Sequence, residues 1–129
     1  MKVLNRILTN ICSDNLSETK DFYTVLFDFK VDYDSDWFIH LISKENNLEL
    51  GIILISHELV PADFQNKPQG FYITFVVESA DEIFAIAEKE EYEIVSKPQD
   101  TFYGQRRLLL KDPSGTLVDA SSPIKDFEF

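Results

Sequence analysis

The succession strand, helix, three strands occurs twice in this chain, and that repeat restricts the possible folds more than any other feature. Residues 3–13 alternate loosely between apolar and polar and read as a strand. In the next stretch, Asp14-Asn15-Leu16-Ser17-Glu18, either Asp14 or Asn15 can cap a helix by accepting from its free first-turn N–H groups. The helix spaces Leu16, Phe22, Tyr23, Leu26 and Phe27 into one apolar stripe. Strands are expected at 29–34, 37–43 and 48–55, parted by the polar breaks Asp34-Ser35-Asp36 and Lys44-Glu45-Asn46-Asn47. Residues 56–69, with two prolines, read as a linker. The order then recurs. A strand at 71–77 leads to a helix that opens at Ser79-Ala80-Asp81-Glu82, runs to about residue 90, and turns Ile83, Phe84, Ile86 and Ala87 inward. Strands at 92–96, 106–111 and 116–121 complete the second half, with Asp112-Pro113-Ser114-Gly115 as a strong turn. The halves share little residue identity, so the repeat is architectural.

This pattern implies an α+β fold of two βαβββ modules, forming curved mixed sheets around a concave cavity. A single domain over 1–129 is expected, with halves at about 3–55 and 70–123. Alternation assigns the faces. Phe71, Ile73, Phe75 and Val77 share one side of their strand, and Tyr72, Thr74 and Val76 the other. Leu48, Leu50, Ile52 and Leu54 likewise oppose Glu49, Gly51, Ile53 and Ile55. The wholly apolar faces should pack on the helices, leaving Tyr72, Thr74 and Glu49, with Asp119, on faces turned toward a ligand. Glu49, Tyr72 and Asp119 are expected to converge on one concave surface.

Composition removes several functional classes. Twenty-three acidic residues against twelve basic ones give a net charge of −11, which repels nucleic acid and anionic membranes and is compatible with a cationic ligand. No apolar run approaches the ~20 residues of a membrane-spanning helix. The first residues, MKVLNRILTNICSD, do not read as a signal peptide, and a lone Cys12 builds no disulfide framework, so a cytoplasmic location is expected. The chain has neither a Gly-rich phosphate loop nor a Gly-x-Ser-x-Gly elbow nor a CxxC pair. With only His40 and His57, no multi-histidine metal triad can form.

Two motifs carry a family resemblance. Leu16-Ser17-Glu18-Thr19-Lys20-Asp21-Phe22-Tyr23 with Leu26-Phe27-Asp28-Phe29 resembles the D-L-x-x-S-x-x-F-Y-x-x-x-L-G-F signature of the vicinal-oxygen-chelate superfamily, which includes glyoxalases, bleomycin-resistance proteins and extradiol dioxygenases. Asn15, Thr19 and Asp28 replace its usual Asp, Ser and Gly. The segment from Lys97-Pro98-Gln99-Asp100 through Gly104-Gln105-Arg106, then Lys111-Asp112-Pro113-Ser114-Gly115-Thr116-Leu117-Val118-Asp119, is similar to the family's P-x-D-x-x-x-G-x-R and D-P-x-G-N-x-I-E. Family members hold a divalent metal through residues on four strands. The resemblance puts those positions at Leu8, Glu49, Tyr72 and Asp119. Leu8 cannot coordinate, and a neutral Tyr72 is a poor ligand. The resemblance therefore implies a metal-free member, without cofactor, like the bleomycin-resistance branch, in which a small molecule is sequestered within a dimer.

The expected ligand-binding residues are Asn10, Trp37, Glu49, Tyr72, Tyr103, Arg106 and Asp119. Aromatic rings flank flat or cationic ligands through stacking and cation–π attraction. Of the adjacent arginines, Arg106 shares a parity with Leu108 and Leu110 and Arg107 with Lys111. Arg106 is preferred as the inward one, paired with Asp119 or Glu49 or gripping an anionic group. For His40 a hydrogen-bonded structural role is preferred to that of a base, His57 is expected to be solvated, and Cys12 to be a small core residue. No catalytic residue is assigned. The expected function is non-enzymatic binding of a cationic or aromatic small molecule by a homodimer, possible drug sequestration included. The alternative is a lyase or isomerase, or a metal-dependent enzyme of the same superfamily.

Overall fold

A computed structural model of the chain describes residues 3–43, 45 and 47–125. Lys44 and Asn46 of the second expected polar break lie outside them. The chain divides into two compact units after Pro68, at the end of the expected linker.

The first unit runs β1 (Asn10–Ser13), α1 (Leu16–Phe27), β2 (Lys30–Asp34), β3 (Phe38–Ser43) and β4 (Leu48–Leu54). Its sheet has the order β1-β4-β3-β2, with β1 parallel to β4 and the other pairs antiparallel. A 3-10 turn, Ala62–Phe64, lies in the linker. The second unit repeats the pattern with β5 (Tyr72–Val76), α2 (Ala80–Lys89), β6 (Glu93–Asp100), β7 (Gln105–Lys111) and β8 (Leu117–Pro123). Its sheet order, β5-β8-β7-β6, is the counterpart of the first, again with one parallel pair. Two mixed four-stranded sheets, each with its own helix, make this an α+β protein of repeated modules. No helix among the described residues is long and apolar enough to cross a membrane.

Caps set both helix starts. Asn15 accepts the Glu18 N–H at 3.0 Å, and Ser79 accepts the Glu82 N–H at 3.1 Å. Asp28 ends α1 in the left-handed region at φ 57°, a conformation glycine adopts at least cost and Asp tolerates. That accounts for an Asp where the signature usually has Gly. Phe22, Tyr23 and Leu26 of α1 are buried with Ile11, Ile39, Leu41, Leu50 and Ile52, all from the same side of the first sheet. In the second unit, Ala80 and Ala87 of α2 are buried with Leu108, Leu110, Val118 and Ala120. Fully burying a Leu or Ile contributes about 1.5–3 kcal/mol, so these two layers carry most of the stability of their units.

Several expected boundaries shift. The first strand is only four residues long, because its parallel ladder with β4 begins at Asn10↔Gly51; residues 3–9 lie outside it, with Val3, Leu4 and Ile7 exposed. Strand β6 extends to Asp100 through Pro98, which an edge strand accommodates because a missing N–H can face away from the ladder. Ile86 is 38% exposed rather than inward, since the small Ala80 and Ala87 make the close contacts of α2.

Candidate functional site

Each sheet has one face packed on its helix and one left open, and alternation along the strands decides which side chains reach the open face. On the first sheet these are Asn10 and Cys12 from β1, His40 and Ile42 from β3, and Glu49, Gly51 and Ile53 from β4, in lateral register. Gly51 is required there. A Cβ at this position would land on the Asn10 Oδ1 and press on the Phe38 ring, so the absent side chain gives Asn10 its room.

Glu49 and His40 form the polar centre of this face. His40 Nε2 meets Glu49 Oε1 at 2.8 Å, and its Nδ1 meets Asp32 Oδ2 at 2.9 Å. The pairing of β2 with β3 slips between Val31 and Tyr33, and Asp32 is the residue at that slip. Such a bulge re-aims a side chain, here toward the imidazole. Arg6 completes the group: its Nε donates to Glu49 Oε2 at 2.9 Å and its Nη2 to Oε1. The Arg6 hydrogen bonds, then that of His40, hold the Glu49 carboxyl below the usual carboxylate range against the opposing effect of burial. Burial pushes the Cys12 thiol up, which disfavours the thiolate a nucleophile needs. His57 is not simply solvated. Its ring stacks on Trp37, centroids 4.2 Å apart and 17° from parallel, and its Nδ1 accepts the Leu59 N–H. One face of Trp37 is therefore already covered.

On the second sheet the open face carries Tyr72 and Thr74 from β5, Asp119 and Ser121 from β8, and Gln105, Arg107 and Leu109 from β7. Asp119 is almost closed off, its side chain 6% exposed. Its Oδ1 accepts from Ser121 Oγ at 2.5 Å, and its Oδ2 from Thr74 Oγ1 at 3.1 Å and Arg107 Nε at 3.3 Å. The Arg107 guanidinium lies over the Tyr72 ring, 5.8 Å from its centroid. Burial works hardest against the Arg107 charge. The Asp119 hydrogen bond and charge, with smaller help from Tyr103 and Tyr72, outweigh it and move the group up from its ordinary value. Tyr103 sits in the β6–β7 turn with Phe102, 93% exposed, edge-on against it. Gln105 Oε1 is enclosed without a donor among the described residues.

The arginine expected to turn inward is the wrong one of the pair. Arg106 shares the side of Leu108 and Leu110, which are fully buried, and β7 packs on α2. It therefore meets Asp81 in the first turn of α2 and Asp100 on β6, both at 3.0 Å. Arg107 takes the expected partnership with Asp119. Sequence reasoning passed over Arg107, Asp32 and Arg6. The parity of β7 was a sufficient signal for Arg107, whereas neither the bulge that delivers Asp32 nor the course of residues before β1 has a local signature.

The donor chemistry does not suit the divalent metal that the fold implies. At the four positions, Leu8 offers no donor, Glu49 is already gripped by a guanidinium, Tyr72 lies under another, and Asp119 has both oxygens engaged. Among the described residues no group of three His, Cys, Asp or Glu side chains is disposed to hold a metal ion.

The search of curated proteins finds no match. Solved structures do share the fold. A glyoxalase/bleomycin resistance protein/dioxygenase family enzyme from Burkholderia phytofirmans is 19% identical, with a TM-score of 0.76 over 91% of this chain and 97% of its own. A glyoxalase-related enzyme from Fulvimarina pelagi is 14% identical, with a TM-score of 0.77 over 92% and 88%. A superfamily member from Sphaerobacter thermophilus is 19% identical, with a TM-score of 0.73 over 92% and 98%. The family model itself matches residues 4–120, which take in the first module and all of the second but the last three residues of β8, and the chain thus belongs to the Glyoxalase/Bleomycin resistance protein/Dioxygenase superfamily.

Proposed function

We propose that this protein binds an aromatic small molecule on the open faces of its sheets and does not turn it over. One observation carries this reading: the groups able to do acid–base or nucleophilic chemistry are spent on one another, while aromatic rings stay accessible. Glu49 is paired with Arg6 and His40, Asp119 with Ser121, Thr74 and Arg107, and the Cys12 thiol is pushed up. Tyr72 is half exposed and Tyr103 more than a third exposed. Rings of this kind supply stacking area with little conformational entropy to lose. A cation at Glu49 or Asp119 would have to compete with the resident guanidinium, so the acidic total of the chain does not translate into a free anionic site.

The reading includes a homodimer. Each sheet leaves two edge strands, β1 and β2 in one, β5 and β6 in the other, whose open backbone groups a second copy can cover. Light scattering at high micromolar concentration is expected to return twice the chain mass. Thermal-shift screening against aromatic dyes, cationic antibiotics and aromatic metabolites tests the binding. A ligand at ~100 times its Kd adds about 2.7 kcal/mol, a rise of several degrees. A panel without one stabilising compound goes against the proposal, as does consumption of any ligand that binds.

A second reading draws on the Asp32–His40–Glu49 chain. An imidazole oriented by one carboxylate and facing another is a common form of an acid–base centre. It predicts that a compound stabilising the wild type is consumed slowly, and that His40→Gln abolishes the consumption without abolishing the stabilisation.

A further inference from the structure

We infer that Arg107, Tyr72 and Tyr103 form a carboxylate-binding site on the open face of the second sheet, selective for flat aromatic acids. The inference rests on the small-molecule reading above and names the ligand class of one of its two faces. The two adjacent arginines differ in a telling way. Arg106 spends Nε and Nη1 on Asp81 and Asp100. Among the described residues Arg107 makes one hydrogen bond, from Nε to Asp119 Oδ2 at 3.3 Å, and both of its terminal nitrogens meet no acceptor. With 23 acidic residues against 12 basic ones, carboxylates are abundant, yet among the described residues none accepts from these nitrogens. Guanidinium N–H groups in a fixed planar fork match the two oxygens of a carboxylate.

The surroundings hold that fork still. Asp119, fixed by Ser121 and Thr74, anchors Nε and acts as a positioning residue. The Arg107 guanidinium lies over the Tyr72 ring, 5.8 Å from its centroid, and the Arg107 side chain keeps 30% of its surface open. Tyr72 is 50% exposed, and Tyr103 lies within electrostatic range of the same guanidinium. A ligand whose carboxylate met the terminal nitrogens would lay its flat portion beside these phenols. The net charge of −11 repels anions at a distance, so an acid would be retained only where a local cation faces it with free donors.

Matched probes test this. Benzoate, benzamide and benzamidine share size and shape and differ in charge, and acetate carries the carboxylate without the ring. Titrations of the full chain, followed by NMR of the Arg107 side-chain Nε–H and the Tyr72 and Tyr103 rings, are expected to show saturable shifts with benzoate. Acetate and benzamide should bind at least tenfold more weakly, and benzamidine should not bind. Arg107→Gln should weaken benzoate at least tenfold, and Tyr72→Leu should erase its advantage over acetate. The wild-type series stands alone should either variant fail to fold. Benzamidine or benzamide equal to benzoate at these resonances overturns the site and leaves the binding reading intact. Acetate equal to benzoate also overturns it. If no probe or aromatic library compound moves any open-face resonance, both fall together.

Discussion

Asp119→Ala should be far more costly than the loss of one surface charge. The carboxylate is 6% exposed and accepts three hydrogen bonds, but its partners differ in what they can do without it. Thr74 is exposed and Arg107 partly so, and both can turn to water, leaving about 0.5–1 kcal/mol lost for each. Ser121 is 3% exposed, and its hydroxyl, 2.5 Å from Asp119 Oδ1, would be left buried without that acceptor, at about 1–3 kcal/mol. The sum is about 3 kcal/mol, or roughly 10 °C in Tm for a chain of this length. Asp119→Asn keeps an acceptor for Ser121 and should cost about 1 kcal/mol. Ser121→Ala added to Asp119→Ala removes the orphaned hydroxyl, so the double variant should be at least as stable as Asp119→Ala alone. Urea unfolding followed by far-UV circular dichroism, read as a change in midpoint at constant slope, measures all four proteins. Asp119→Ala within ~0.5 kcal/mol of wild type, or a double variant showing the full sum of both losses, would refute the account of Asp119 as the buried anchor of this face.

Further outcomes follow from other contacts. Asn15→Ala removes the side chain that caps α1 and should cost about 1 kcal/mol by urea midpoint, whereas Asn15→Ser should restore most of it. Glu49 titrates lower in the folded state than the ~4.3 of an unfolded Glu, so its stabilisation is complete above that value. It disappears as pH falls through the folded value; Glu49→Gln should therefore flatten the pH dependence of Tm below about pH 4.5, and an unchanged acid limb would contradict the pairing. Micromolar Mn²⁺, Fe²⁺, Ni²⁺ or Zn²⁺ should leave the melting temperature unaltered; a chelator-reversible rise of several degrees would show a donor set that Leu8 and the engaged carboxylates do not provide.

The fold was legible because its information is local and periodic. Alternation in β4 and β8 sorted the helix side from the open side, as the burial of Leu50, Ile52, Val118 and Ala120 bears out, whereas Phe71, expected on the helix side, is 46% exposed. Capping residues marked both helix starts at Asn15 and Ser79. What was less legible depends on partners. The length of β1 is fixed by where its ladder with β4 begins, and the continuation of β6 past Pro98 by its lying at a sheet edge, neither of which residues 3–13 or 92–100 encode alone.

For the candidate site, sequence located the residues better than it located their bonds. Glu49, Tyr72 and Asp119 each lie on the open side of their own sheet, as strand parity requires. Parity says which way a carboxylate points but not which cation reaches it. Arg6 comes from the segment ahead of β1, His40 from the neighbouring strand, and Arg107 from two residues across the β7–β8 ladder. The error over Arg106 is the most instructive, because the same parity that put it with Leu108 and Leu110 already placed it under α2, where the first-turn Asp81 waits. Preferring it as the inward residue set the expectation of function against the pleat, and the pleat decides. A parity assignment carried through β7 without that preference leads to Arg107, and thus from a bare carboxylate at Asp119 to a carboxylate bonded to a guanidinium whose terminal donors meet no acceptor among the described residues.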